Sequence, residues 1–228
     1  MASFHGNLMQ ITIGQVLSRD DLSLLREGFA KIRFEDGRRT AGFAAREVKN
    51  NLQAAGSDRR LETLRKLAAD RILSNDVFRT AVRPKQLSPL LLSRYEPGMT
   101  YGSHVDDALM QGMRTDVAFT LFVSDPDDYD GGELTIETAA GEDAVKLEAG
   151  AMVAYPATSL HHVAEVTRGE RRAVVGWVRS FIRDAAHREL LFDLDTARRS
   201  LFAREGKSRE FDLMSKSLAN LIRMWAED

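Results

Sequence analysis

Val117-Ala118-Phe119-Thr120-Leu121-Phe122-Val123 is an almost unbroken apolar run, closed by Ser124-Asp125-Pro126. Aromatic and β-branched side chains in so short a stretch suit a buried strand, and the polar, proline-containing triplet stops it. The pattern recurs on both sides. Upstream, Pro89-Leu90-Leu91-Leu92-Ser93-Arg94-Tyr95 ends at Glu96-Pro97-Gly98. Downstream, residues 133–137, 151–155 and 173–181 form further short runs bounded by Gly, Pro or Asp. Successive short strands without helical spacers favour an antiparallel sandwich or barrel over alternating βαβ units.

Outward from this centre the period changes. Ser18-Arg19-Asp20-Asp21 reads as a capping box ahead of Leu22, Leu25 and Phe29, which predicts a first helix. Residues 31–34 read as a short strand closed by Asp36-Gly37. Leu61, Leu64, Ala68 and Ile72 keep a helical spacing within 52–73, with Gly56-Ser57 interrupting its start. Beyond Asp184, Leu190, Leu191, Leu194, Leu201 and Phe202 mark one helix face, and Gly206 stands where a C-cap belongs. Phe211, Met214, Leu218, Leu221 and Trp225 mark another. These stripes read as core or dimer packing and so permit a homo-oligomer. The expected division is a support region over 1–84, a β core over 85–182 and a helical extension over 183–228.

Composition removes several function classes. A chain of 228 residues, 43% hydrophobic and 29% charged, can bury a substantial core. The net charge of -2 gives no global basic field, so no nucleic-acid partner is expected. With no cysteine, disulfides, zinc–thiolate sites and thiol nucleophiles are excluded. A metal must be held by nitrogen and oxygen, and the histidines available are His5, His104, His161, His162 and His187. Met1-Ala2-Ser3-Phe4-His5 has neither the charge nor the apolar run of a signal peptide. No apolar stretch approaches the roughly 20 residues that span a bilayer. A cytoplasmic protein without a membrane partner is the expectation.

In Tyr101-Gly102-Ser103-His104-Val105-Asp106, an extended backbone sends His104 and Asp106 to the same side. Such a pair can supply two adjacent ligands, and a distant histidine would complete a two-histidine, one-carboxylate facial triad suited to non-haem Fe(II). His-x-Asp alone is common, and more often a surface pair. The downstream string adds weight: Tyr155-Pro156-Ala157-Thr158-Ser159-Leu160-His161-His162-Val163 leads through the Arg168-Gly169 turn to Glu170-Arg171-Arg172. A histidine on one strand and an arginine on the next would enter the same barrel. An arginine facing an apolar interior is costly without an anion, and a guanidinium fork matches a carboxylate. Iron with open positions and an arginine beyond it would suit 2-oxoglutarate. Alternation leaves two frames open, His161 with Arg171 or His162 with Arg172.

Three ordered strings resemble the 2-oxoglutarate/Fe(II) dioxygenase superfamily, and specifically the bacterial PKHD-type hydroxylases with their prolyl 4-hydroxylase-like core. They are residues 95–106, Asp128-Tyr129-Asp130-Gly131-Gly132-Glu133-Leu134, and residues 155–171 continuing into Ala173-Val174-Val175-Gly176-Trp177-Val178. The resemblance covers nearly the whole chain. It implies an α+β fold, a double-stranded β-helix (jelly-roll) core flanked by N- and C-terminal helices. Its His-x-Asp…His-x-Val…basic frame carries over to His104, Asp106, His161 and Arg171, with no catalytic residue beyond the metal ligands. His162 would then face solvent or support the site, and Arg172 would be a surface charge. Tyr95 and Tyr101 are candidate cofactor contacts, with half-buried strand aromatics as the plainer reading. Some relatives carry a cofactor-binding tyrosine on the strand where this chain has Thr120 and Phe122, so that contact is lost or differently made, and Thr120 is its candidate.

The implied activity is hydroxylation of an unidentified substrate with Fe(II), 2-oxoglutarate and dioxygen, yielding succinate and CO2. L-ascorbate is the implied accessory reductant, and a link to iron homeostasis comes with the family. Both histidines must be neutral to ligate, so metal binding is expected to weaken as pH falls through about 6.5. Residues 107–114, with one glycine and two methionines, read as a mobile lid or an ordinary loop. Gly131-Gly132 reads as a structural turn, and His5 and His187 receive no function. Two other readings use the same residues: a cupin-like metal enzyme of another reaction type, and a non-catalytic protein responsive to iron or 2-oxoglutarate.

Overall fold

The computed structural model describes the backbone of residues 2–4 and the whole of residues 10–228; His5 lies outside them. From Leu91 onward the chain alternates between two antiparallel sheets. Leu91–Tyr95, Val117–Phe122, Met152–Pro156 and Arg171–Ser180 belong to the larger sheet. Thr100–His104, Leu134–Thr138, Gly141–Val145 and His161–Val163 belong to the smaller. Spatially the larger sheet runs Met152–Pro156, Val117–Phe122, Arg171–Ser180, Leu91–Tyr95. The smaller runs Gly141–Val145, Leu134–Thr138, His161–Val163, Thr100–His104. Two sheets exchanging strands in this order form a jelly roll.

The run at 117–123 shows how side-chain parity builds the layers. Ala118 and Phe122 pack with Val153, Tyr155, Leu134, Ile136 and Val163 between the sheets. Val117, Phe119 and Leu121 point the other way, into a second core with Met152, Ala154 and Val174. Helices cover that outer face: α1 (Arg19–Lys31), α2 (Arg59–Ser74) and α3 (Asp76–Val82) contribute Leu25, Phe29, Leu61, Leu64, Ile72 and Phe78 to the same core. Full burial of each such side chain stabilises by about 1.5–3 kcal/mol. Phe78 meets Phe119 edge-on, with ring centroids 5.8 Å apart.

The N-terminal region is woven into both sheets. Ile11–Ile13 pairs with Met152–Pro156, Leu52–Ala54 joins Leu91–Tyr95, and Phe34–Asp36 follows at the edge. Lys49–Asn50 extends the smaller sheet alongside Thr100–His104. Two local readings are corrected here. The helix expected from residue 52 begins at Arg59, because Leu52–Ala54 is a strand and Asp58 caps the helix by accepting from the Arg60 amide at 3.0 Å. The strand expected over 31–34 lies at Phe34–Asp36, since α1 continues to Lys31. Asp36-Gly37 opens a short 3-10 turn.

After the long strand, α4 (Ala185–Glu205) and α5 (Arg209–Trp225) pack through Leu191 and Leu218 onto Ile182. Gly206, with φ 71°, ends α4. No described helix is long and apolar enough to cross a membrane.

Candidate metal and dicarboxylate site

His104 is the last residue of its strand, and His161, the first of another, sits directly opposite it in register. Two residues past His104 the chain has left the sheet, yet alternation persists. Val105 is half exposed while the Asp106 side chain turns back inside. One ligand atom from each of His104, Asp106 and His161 lies within 4.8 Å of the others. His161 Nε2 stands 3.9 Å from Asp106 Oδ2, which has no hydrogen-bond partner.

Backbone carbonyls fix both rings. His104 Nδ1 lies 2.8 Å from the Gly102 carbonyl oxygen and His161 Nδ1 lies 3.0 Å from that of Ser159. A carbonyl only accepts, so each Nδ1 carries hydrogen and each Nε2 is left with its lone pair. Burial, with His161 next in effect, pushes His104 down to about 3 and keeps it neutral. Burial raises the Asp106 carboxyl, with His161 opposing. Two nitrogen donors and a buried carboxylate, approached by Trp177 but with Oδ2 left without a hydrogen-bond partner, form the set that suits non-haem iron.

Arg171 opens the long strand opposite Tyr95. It is 1% exposed, its guanidinium 5.1 Å from the Tyr95 ring centroid and 5.5 Å from that of Phe122. Among the described residues no ion pair engages it, and its Nε has no hydrogen-bond partner. The nearby Tyr129 hydroxyl is likewise buried, with the Arg171 guanidinium as its polar neighbour. A guanidinium enclosed by rings without an anion is unfavourable, and a ligand carboxylate would relieve it. Gly132 packs on this group: a Cβ there would meet Val166 Cγ2 at 2.8 Å and Arg171 Cδ at 3.1 Å, at φ +66°. The turn therefore also shapes the Arg171 bed.

Strand register separates the two frames. His161 and Arg171 point inward, whereas His162 lies opposite Thr135, outside the cluster, and Arg172 pairs with Glu170. His104, Asp106, His161, Arg171, Tyr95, Tyr101 and Thr120 all line one cavity of about 600 Å³. Tyr101 stacks on His104 at 3.7 Å between centroids, and burial pushes its phenol up. Tyr95 is buried beside Asn51, and burial raises it too. Thr120 is buried against the Tyr155 hydroxyl. Residues 107–114 contain a small hairpin, Leu109–Met110 with Met113–Arg114, that contributes to the cavity wall. Its turn residues Gln111 and Gly112 both have positive φ, as a tight hairpin requires.

Sequence reading assigned no role to Tyr155, Trp177 and Lys49, which also line the cavity. Tyr155 sets its ring 5.1 Å from that of His161. Trp177 follows Arg171 at an even interval on the same strand, so parity could have brought it in. Lys49 gives no such signal.

Comparison with known proteins agrees with this geometry. The 2OG-Fe(II) oxygenase superfamily model matches residues 90–179, and that of the PKHD-type hydroxylase C-terminal domain matches residues 185–227. A PKHD-type hydroxylase of Picosynechococcus is 52% identical over 96% of this chain and 100% of its own length. The chain belongs to the PKHD-type hydroxylases. Another member, from Acaryochloris marina, is 50% identical over the same shares. Among solved structures, a Pseudomonas putida prolyl-4-hydroxylase has a TM-score of 0.53 at 20% identity, covering 74% of this chain and 91% of its own. The epimerase SnoN of nogalamycin biosynthesis has a TM-score of 0.55 at 14% identity, covering 76% and 78%. These two show the shared fold. The hydroxylase is accordingly an enzyme of the 2-oxoglutarate/Fe(II)-dependent class, and its α+β jelly roll with flanking helices is the fold its motifs imply.

Proposed function

We propose that this enzyme hydroxylates a C–H bond of its substrate, with His104, Asp106 and His161 holding Fe(II) and Arg171 binding the distal carboxylate of 2-oxoglutarate. The observation that carries this reading is one cavity holding both a convergent His–Asp–His donor set and a buried arginine without an anion. When bound, iron and 2-oxoglutarate supply the oxidising power: dioxygen is reduced, 2-oxoglutarate becomes succinate and CO2, and the substrate gains a hydroxyl.

The chain's own residues bind, orient and exclude water. Gly102 and Ser159 carbonyls hold the imidazole rings through Nδ1, which leaves both Nε2 atoms free, and these would ligate Fe(II). Arg171 would pair with the distal carboxylate, and the Tyr129 hydroxyl beside it would donate to the same anion. Tyr95 and Phe122 shield that ion pair from water. Tyr101 holds His104 by stacking, and Thr120 with Tyr155 completes the wall. Ascorbate as accessory reductant, a cytoplasmic setting and a connection with iron physiology belong to the same proposal and rest on the family resemblance.

The test is conversion of 2-oxoglutarate in air by the Fe(II)-loaded protein. Succinate should form with matched dioxygen uptake, and Asp106→Ala should reduce it to background. Equal succinate from Asp106→Ala and wild type would overturn the proposal.

A further inference from the structure

Besides Arg171, the cavity holds a second buried cation without an ion pair; Arg39 and Arg65, which also line it, pair with Glu35 and Glu62. Lys49 is 6% exposed, on the two-residue strand that pairs with the His104 strand, directly opposite Tyr101. Its Nζ lies 4.7 Å from the Tyr101 ring centroid, and the same ring stacks on His104. A single aromatic ring thus separates the ammonium from a metal-ligand imidazole. Its one hydrogen bond goes to Thr40 Oγ1, at 3.2 Å. That hydroxyl gives its own hydrogen to Gln53 Oε1 or the Gly37 carbonyl, so it serves Lys49 as acceptor. No carboxylate among the described residues forms an ion pair with Lys49. Burial holds its amine down to about 8, with Asp106 and Asp36 only partly opposing.

An ammonium has three donors, and here one neutral oxygen and one ring face serve them. Burying it so is costly unless something anionic joins it. The distal carboxylate of the co-substrate can occupy only one of the two buried cationic positions that lack an ion pair, Arg171 and Lys49. Arg171 is the more enclosed, between Tyr95 and Phe122 with the Tyr129 hydroxyl beside it. Lys49 belongs to the wall continued by Thr40, Ala41 and Gly42, the last next in sequence to the exposed Phe43. A molecule arriving from solvent meets that wall. The cavity of about 600 Å³ leaves ample room beyond a five-carbon diacid.

We propose that Lys49 receives an anionic group of the substrate, so that the molecule hydroxylated carries a carboxylate or similar anion close to the oxidised carbon. This rests on the reading of the site given above.

The experiment uses the full chain loaded with Mn(II) and saturated with 2-oxoglutarate. Cyclohexanecarboxylate and cyclohexanecarboxamide serve as matched probes, and paramagnetic relaxation of their protons is measured by NMR. The carboxylate should bind about tenfold tighter than the amide or better, the scale of one charge-assisted hydrogen bond. Lys49→Gln should abolish that preference while keeping 2-oxoglutarate affinity within about twofold, since the co-substrate uses another cation. Lys49→Arg should retain the preference. Equal relaxation of acid and amide, or none from either, would overturn the proposal alone. A loss of 2-oxoglutarate affinity in Lys49→Gln as large as in Arg171→Ala would overturn it by assigning Lys49 to the co-substrate. Failure of the metal-loaded wild type to bind 2-oxoglutarate would overturn the parent reading, and this one with it.

Discussion

At Gly132 two constraints coincide. The backbone is left-handed, at φ +66°, and a Cβ would press on Val166, Tyr129 and the stem of Arg171. Gly98, at φ +84°, has the first constraint without the second, since nothing lies within 4 Å. Gly98→Ala should therefore cost only the backbone term, about 1–2 kcal/mol. Gly132→Ala should lower stability further and weaken 2-oxoglutarate binding, with metal affinity retained. Calorimetry of the co-substrate against both variants checks this, and unchanged affinity in Gly132→Ala would mean that the glycine does not position the arginine. At this scale the sequence was legible where chemistry and spacing coincide. His104 and Asp106 stand two apart on an extended segment, and the structure brings both to one place. His161 and His162 could not be separated by alternation, because adjacent candidates sat in both strings. The pairing of His161 with His104 and Ile136 is long-range information. Lys49 was illegible, since a two-residue strand has no period and lysine is ordinarily a surface residue.

Among the elements, α1 shows a local signal completed by a distant partner. The Ser18 hydroxyl accepts from the Asp21 amide at 3.1 Å, and Asp21 Oδ2 accepts from the Ser18 amide at 3.0 Å. That capping box was readable, but Arg71 of α2, whose Nε donates to both carboxylate oxygens at 3.0 Å, was not. Arg71, with Ser18, holds the Asp21 carboxyl down to about 2. Its folded pKa is below the unfolded value near 3.9, so its stabilisation is complete above the unfolded value. It is lost as pH falls through about 2. Asp21→Ala should cost about 1–2 kcal/mol at neutral pH, the range for a lost cap. The gap between variant and wild type in chemical denaturation should shrink as pH falls from 4 toward about 2. A gap constant over that range would assign the effect to packing instead. The start of α2 was misread because its helical stripe continues backward into an apolar strand, past Gly56-Ser57. The seven-residue α3 is too short to declare a period.

Across the whole molecule, the jelly roll was visible as short apolar runs with hard stops. What could not be read was how the N-terminal strands extend both sheets. They are two or three residues long and take their conformation from the edges they join. That weaving has a functional consequence, since it brings Lys49, Asn51 and Gln53, with neighbours from 39–45 and Arg65, to a cavity whose other lining residues fall within 86–177. The convergence of two sheets, which brings His104, Asp106, His161 and Arg171 into one cavity, is what the proposed chemistry needs. That chemistry is tested most directly by anaerobic titration of the apo-protein with Fe(II) and 2-oxoglutarate, followed by the visible charge-transfer band of the chelate. The wild type should give the band and Asp106→Ala should not. Arg171→Ala should need about thirtyfold more 2-oxoglutarate or greater, the scale of truncating one side of a buried charge pair. A fully metallated wild type without the band, or an Arg171→Ala titration identical to wild type, would contradict the account.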